Sequence, residues 1–178
     1  MKRILIVIDM QNDFIDGALG TPEAEAIVPA VEAKIRAYPP EAVIATMDTH
    51  GPAYLDTQEG RRLPVEHCIR GTEGWRLRPE IAALLTEAKT YEKPSFGSVQ
   101  LAEDLRAMQD LEEIELIGLC TDICVVSNAL LLKAYLPEVT IRVDAACCAG
   151  VTPEKHRAAL ETMRSCQIVI DAPDAGMA

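Results

Sequence analysis

Several features are scarce or missing in this chain of 178 residues, and each absence removes a class of function. Basic residues are outnumbered, 17 Lys and Arg against 28 Asp and Glu, leaving a formal net charge of -11. Nucleic acid and anionic membranes both need a basic face, so neither is an expected partner. No apolar run approaches the roughly 20 residues that cross a bilayer. Met1-Lys-Arg passes straight into Ile4-Leu-Ile-Val-Ile8 and then the charged Asp9. That run is too short for a secretory signal and ends in no small-residue cleavage site, so a cytoplasmic protein is expected. No Gly-x-Gly-x-x-Gly follows a predicted strand, which disfavours a dinucleotide-binding oxidoreductase. There is no CxxC among the six cysteines, Cys68, Cys120, Cys124, Cys147, Cys148 and Cys166. The Cys120–Cys124 spacing fits neither a zinc knuckle nor a thioredoxin-type redox pair. A chain of this length needs no disulfide staples, so reduced thiols are expected. Repeats and linkers are absent too, which implies one domain over residues 1–178. Its 49% hydrophobic content supplies a full core and argues against disorder.

What is present alternates. Short apolar runs read as strands at Arg3–Ile8, Ala42–Met47, Lys89–Glu92, Ile114–Leu119, Val139–Val143 and Gln167–Ile170. Helical patterns lie between them. Thr21 with Pro22 opens the first, in which Pro29 predicts a kink or a later start. Others are expected over Pro79–Glu87, Val99–Met108, Val125–Leu136 and from Thr152-Pro153 to about Arg164. Thr49 to Trp75 reads as a long irregular loop, a feature that is usually functional. The tail from Asp171 to Ala178 reads as frayed. Alternation of this kind predicts an α/β three-layer sandwich: six mainly parallel strands with helices on both faces. The order of the strands is not readable from the pattern.

In such sheets ligands bind outside the carboxyl ends of the strands. There the sequence has Asp9, then Asp48 and His50, then Lys93, then Cys124. Cys124 follows a strand at the start of a helix, where free N–H groups and the helix dipole favour a thiolate nucleophile. Most free cysteines are small buried hydrophobes, and that reading is kept for Cys147, Cys148 and Cys166. Cys120 is read as lining the turn. Asp9, desolvated at the end of a buried strand, is the candidate base. Lys93 is the cation that would stand between Asp9 and Cys124. Asp48-x-His50 and His67 form a candidate metal clip suited to zinc first, or manganese or iron. Cys68 is disfavoured as an alternative to His67, because adjacent side chains do not easily point the same way. His156 is read as solvated on the last helix. Met47, Met108 and Met163 are read as core, Glu112-Glu113-Ile114-Glu115 as a solvated strand entry, and Trp75 and Phe96 as core or pocket wall.

Ile8-Asp-Met-Gln-Asn-Asp-Phe14, Asp48-Thr-His50, His67-Cys68, Lys93 and Gly118-Leu-Cys-Thr-Asp-Ile-Cys124 together resemble the isochorismatase-like cysteine hydrolases, most of all their nicotinamidase branch. The similarity runs in order from residue 4 to about 170. It implies the six-stranded Rossmann-like sheet and an Asp–Lys–Cys triad, here Asp9, Lys93 and Cys124. It also implies a metal held by Asp48, His50 and His67, an oxyanion hole from the backbone N–H groups of Cys120 and Cys124, and a cis peptide between Leu119 and Cys120. The implied reaction is hydrolysis of a small carboxamide through a thioester, with nicotinamide the first candidate. In that branch the metal binds the pyridine nitrogen and orients the ring.

Two departures fall in the substrate pocket, whose expected wall is Phe14, Leu63, Phe96, Leu119 and Ile123. The branch usually has Trp-Pro before the second metal histidine, where this chain has Leu63-Pro-Val-Glu-His67. The ring-stacking aromatic is therefore absent unless Trp75 or Phe96 replaces it. After the triad lysine the branch often has Gly, where this chain has Pro94. Alternatives are an amidase for another small amide, an isochorismatase-type vinyl ether hydrolase, and a non-catalytic binding protein. Isochorismatases normally lack the metal clip and often the cysteine, and a binder has no use for a complete triad. A homodimer or homotetramer is expected, as most soluble oligomers are symmetric.

Overall fold

The computed structural model describes residues 2–171. The strands are β1 Lys2–Ile8, β2 Val43–Asp48, β3 Lys89–Lys93, β4 Leu111–Leu119, β5 Thr140–Ala149 and β6 Val169–Asp171. They lie in the order β3-β2-β1-β4-β5-β6, each parallel to its neighbours. Ile4 to Ile8 are buried throughout, as a central strand covered on both faces requires. Their alternation assigns the two layers. Leu5 and Val7 face one apolar cluster, with Val28, Val31 and Ile35 of the helix Pro22–Arg36. Ile4, Ile6 and Ile8 face the other, with Leu101 and Leu105 of Val99–Arg106, Ala129 and Leu132 of Val126–Tyr135, and Leu160 and Met163 of Pro153–Ser165. With the short helices Asn12–Ile15, Gln58–Arg62 and Pro79–Ala82 counted in chain order, these four long helices are α2, α5, α6 and α7.

The chain winds outward from β1 to β3, then returns to lay β4 on the free side of β1. The switch point therefore lies between the carboxyl ends of β1 and β4, where a doubly wound sheet opens its binding crevice. Strand ends deliver Asp9, Asp48 and Lys93 to that edge.

Several local expectations are corrected. α2 runs unbroken through Pro29, started by Thr21 Oγ1 accepting from Ala24 N at 3.1 Å. The helix expected over Pro79–Glu87 closes after Ala82. Thr49 to Trp75 holds the helix Gln58–Arg62 and a bridge between His50 and Ile69. β5 runs on to Ala149, so Cys147 and Cys148 lie within it and face opposite apolar clusters. β6 begins at Val169, because Gln167 takes φ +64° in the turn out of α7.

Glu115 is not a solvated strand-entry residue. It is buried and accepts from Lys34 Nζ at 2.8 Å and Tyr38 OH at 2.6 Å, an ionic tie between α2 and the sheet that a local charge pattern cannot show. Met108 is 36% exposed, outside the core, because α5 stops at Arg106. Asp171, expected in a frayed tail, pairs with Arg142 at 2.6 Å, and the rest of that tail lies outside the described residues. Among the described residues no helix is long and apolar enough to cross a membrane.

Candidate active site

At the β1–β4 switch point the two strand ends approach closely. Asp9 leaves β1 at φ +47°, a left-handed conformation uncommon for a residue with a side chain. Gly118 in β4 has φ +115°, and a Cβ there would lie 2.1 Å from Ile8 O. Only glycine fits. The next peptide, Leu119–Cys120, is cis as the resemblance implies. Cys124 then rides on a π-turn, Thr121–Val125, in which Ile123 N and Val125 N both bond back to Cys120 O. A wide turn, rather than the first turn of a regular α-helix, carries this cysteine.

The structure brings Asp9, Lys93 and Cys124 together. Lys93 Nζ lies 2.6 Å from Asp9 Oδ2, 3.3 Å from Cys124 Sγ and 3.3 Å from Asp48 Oδ1. Thr46 donates to the other Asp9 oxygen, Oδ1, at 2.6 Å. Exposure of Asp9, Lys93 and Cys124 is 0%, 1% and 3%, so these charges survive only by pairing. Burial pushes the Asp9 carboxyl above its ordinary range, with Lys93 opposing it. Burial lowers the Lys93 ammonium, but Asp9 first, with Cys124 and Asp48 beside it, outweighs that and holds it protonated. Cys124 corrects an expectation. Burial, then Asp9, pushes its thiol well above the ordinary value, so the resting group is a thiol whose proton must be removed.

The ligand atoms of Asp48, His50 and His67 all lie within 4.8 Å of one another. Asp48 Oδ2 is 2.9 Å from His50 Nε2 and 3.7 Å from His67 Nε2. His67 Nδ1 sits 2.8 Å from Val65 O, which can only accept, so that nitrogen donates and Nε2 is the one turned toward Asp48. One carboxylate and two imidazoles fit a divalent transition metal. Glu59 Oε1 lies 3.8 Å from both His50 Nε2 and His67 Nε2 at the margin of this group. Cys68 contributes nothing to the cluster, being buried in the apolar layer with its backbone N–H on Asp13.

A cavity of about 690 Å³ opens over both groups. Phe14, Leu63, Phe96 and Ile123 line it as expected, as do Cys120 and Cys124. Leu119 does not: its side chain is fully buried in the apolar layer beneath. Trp75 stays out of the cavity wall and donates its indole N–H to Thr49 Oγ1 at 2.9 Å. That leaves Phe14 and the 43% exposed Phe96 as the phenyl rings of the wall. His156 is not simply solvated, since its Nδ1 lies 2.8 Å from the Thr121 hydroxyl.

The family model for the Isochorismatase domain matches residues 3–174. The chain belongs to the isochorismatase family. It is 34% identical over 176 residues to the uncharacterized isochorismatase family protein PncA of Bacillus subtilis, covering 90% of this chain and 93% of that one. Identity to the nicotinamidase/pyrazinamidase of Mycobacterium tuberculosis is 28% over 181 residues, covering 93% and 96%. Among solved structures, the pyrazinamidase of Pyrococcus horikoshii in complex with zinc superposes with a TM-score of 0.79 at 28% identity, covering 96% and 98%. Within the family the similarity is thus to the nicotinamidase branch.

Some site residues of this isochorismatase-family chain escape a reading of the sequence. Gln11 clamps Asp48 through both its backbone N–H and C=O and also bonds Trp75 O. Asn128, buried one helical turn beyond Cys124, donates to Cys124 O and Phe96 O and accepts from Ser98 N. It ties the nucleophile turn to the Lys93 loop. Gln11 had a signal in its motif. Asn128 and Thr46 had none, because Ser98, Phe96 and Asp9 come from distant segments, and Glu59 meets His50 and His67 only through the folding of their shared loop.

Proposed function

We propose that this isochorismatase-family protein is a metal-dependent cysteine amidohydrolase, converting a small carboxamide, nicotinamide foremost, to the carboxylate and ammonia. The observation that carries the reading is the buried lysine. Lys93 Nζ is in contact with both Asp9 and Cys124, at 2.6 and 3.3 Å, under a cavity that also holds the Asp48–His50–His67 cluster. An amide-sized substrate would meet nucleophile and metal ligands at once.

In this reading Asp9, its pKa raised by burial, takes the proton of Cys124 while Lys93 offsets the charge that forms. The thiolate adds to the amide carbon. Backbone N–H groups of Cys120 and Cys124 are the proposed oxyanion donors, worth about 10²–10³ in rate for each donor in comparable sites. Asp9 returns its proton to the departing ammonia, and water then cleaves the thioester to regenerate the thiol. A divalent cation held by Asp48, His50 and His67 would supply a Lewis acid on the cavity wall. Glu59 would add a second carboxylate to its surroundings. Zinc is the first choice, with manganese and iron as alternatives.

The same reading takes the chain as one catalytic domain that works in the cytoplasm as a symmetric dimer or tetramer. The second reading, a hydrolase for another small amide, has one observation behind it, the aliphatic Leu63 on the cavity wall. The deciding experiment is ammonia release from nicotinamide and a panel of small amides, by the wild type and Cys124→Ala. Turnover lost in the variant supports the reading. Inactivity on every amide, with Cys124 also inert to alkylation, overturns it.

A further inference from the structure

α7 packs against the turn that carries Cys124, and a side-chain hydrogen bond joins the two. His156 Nδ1 lies 2.8 Å from Thr121 Oγ1. Thr121 is fully buried and opens the π-turn that carries Cys124. Among the described residues its hydroxyl bonds to no other group. The adjacent residue is tied as well, since Asp122 Oδ1 accepts from Val151 N at 2.9 Å. The approach is tight: a Cβ on Gly150 would lie 2.8 Å from His156 N and 2.9 Å from Asp122 Oδ1. Thus the first two residues of the turn are moored to the chain entering α7. The far end is moored through Asn128, which accepts from Ser98 N and donates to Cys124 O.

We infer that His156 is a positioning residue, acting through Thr121 to hold the turn that aims Cys124 at the substrate. The inference rests on the nucleophilic role proposed above for Cys124. His156 touches no reacting atom and does not line the cavity. Its contribution is geometric. A π-turn held by Val125 N on Cys120 O leaves Thr121 and Asp122 dependent on outside partners for their place. Displacements of about 1 Å at a reacting group cost up to 10²-fold in rate, so a loosened turn is visible in catalysis. Burial lowers the His156 pKa, opposed by Asp122 and aided by Arg157, so the imidazole meets Thr121 neutral at pH 7. Asparagine can supply a polar atom near the position of Nδ1, whereas alanine cannot.

The test uses the full chain loaded with metal, as wild type, His156→Ala, His156→Asn, Thr121→Val and the His156→Ala/Thr121→Val double variant. Three quantities are read: kcat and KM for nicotinamide or the amide found to turn over, metal content, and the iodoacetamide rate at the Cys124 peptide by mass spectrometry. His156→Ala and Thr121→Val should each lower kcat by about tenfold with KM within about twofold. Metal content should be unchanged. The double variant should fall no further than the singles, because both break one contact. His156→Asn should recover most of the loss. The alkylation rate should follow the same order. If the wild type hydrolyses no amide, the alkylation series still decides the matter, which separates failure of the amidase reading from failure of this one. An unchanged kcat and alkylation rate, with or without a lower Tm, would overturn the inference. So would losses that multiply in the double variant, or a His156→Asn protein as slow as His156→Ala.

Discussion

Lys93 shows how much a single side chain can organise. A lysine is rarely buried to 1% exposure, and this one is tolerated because Asp9, Asp48 and Cys124 surround its ammonium. Lys93→Met keeps the stem and removes the charge, leaving buried carboxylates unpaired. It should lower kcat by about 10³-fold or more, close to Cys124→Ala, because members of one catalytic unit are not additive. Steady-state ammonia release measures it. Thr46 acts on Asp9, the proposed base. Its hydroxyl lowers the Asp9 pKa, against the larger upward effect of burial. The base must be ionised to accept the thiol proton, so the acid limb of kcat/KM should lie above the ordinary carboxylate value of about 4. Thr46→Val removes the donor, raises the pKa further and should move that limb to higher pH. A limb that stays put, or moves down, would separate Thr46 from the base. At the cavity wall, Leu63→Trp should lower KM for an aromatic amide by about 2- to 10-fold, the value of a ring pair at roughly 0.5–1.5 kcal/mol. An aliphatic amide should gain nothing.

At the scale of elements, the site depends on how closely β4 passes β1. Gly118 permits that approach, with its positive φ and with Ile8 O 2.1 Å from where a Cβ would stand. Gly118→Ala must push two central strands apart, and should cost more than about 3 kcal/mol or prevent folding. Chemical denaturation, or the yield of soluble protein, is the measurement. On the opposite layer, Lys34 joins α2 to β4 and β5, 2.8 Å from Glu115 and 2.7 Å from Asp144. Lys34→Met would leave Glu115 buried without its cation. Removing one partner of a fully buried pair costs about 3–5 kcal/mol, and Lys34 is 26% exposed, so a loss of about 2 kcal/mol is expected by urea denaturation. Glu115 also teaches a point about legibility. Its run of acidic neighbours suggests solvent, and only the packing of α2 over the sheet turns this one inward.

For the molecule as a whole, the doubly wound order sets three strand ends side by side and the nucleophile turn beside them. β3 brings Lys93, β2 brings Asp48, β1 brings Asp9 and β4 leads into Cys124. The metal cluster closes the far side of the cavity by drawing His67 from the long loop after β2. Chelation should therefore lower both activity and thermal stability. Returning zinc at 100 times its Kd should restore about 2.7 kcal/mol, the amount that saturation at that ratio adds to a folded state. A protein whose melting curve ignores chelator and zinc alike would leave the cluster without a metal role.

The sequence alone determined the alternation of strands and helices and the residues that follow each strand. Strands buried on both faces must be apolar runs, so the first polar residue after each run marks a sheet edge. Asp9, Asp48 and Lys93 were legible for that reason, Cys124 from its place at a helix start, and His50 and His67 as histidines of one long loop beside Asp48, with the family motifs agreeing. Tertiary structure decided what no local pattern encodes. It chose the strand order that puts β4 beside β1, buried Glu115, kept Leu119 and Trp75 out of the cavity wall, and gave Thr46, Asn128 and His156 their partners. Each of these depends on contacts between segments far apart in the chain, and such contacts exist only once the layers have packed.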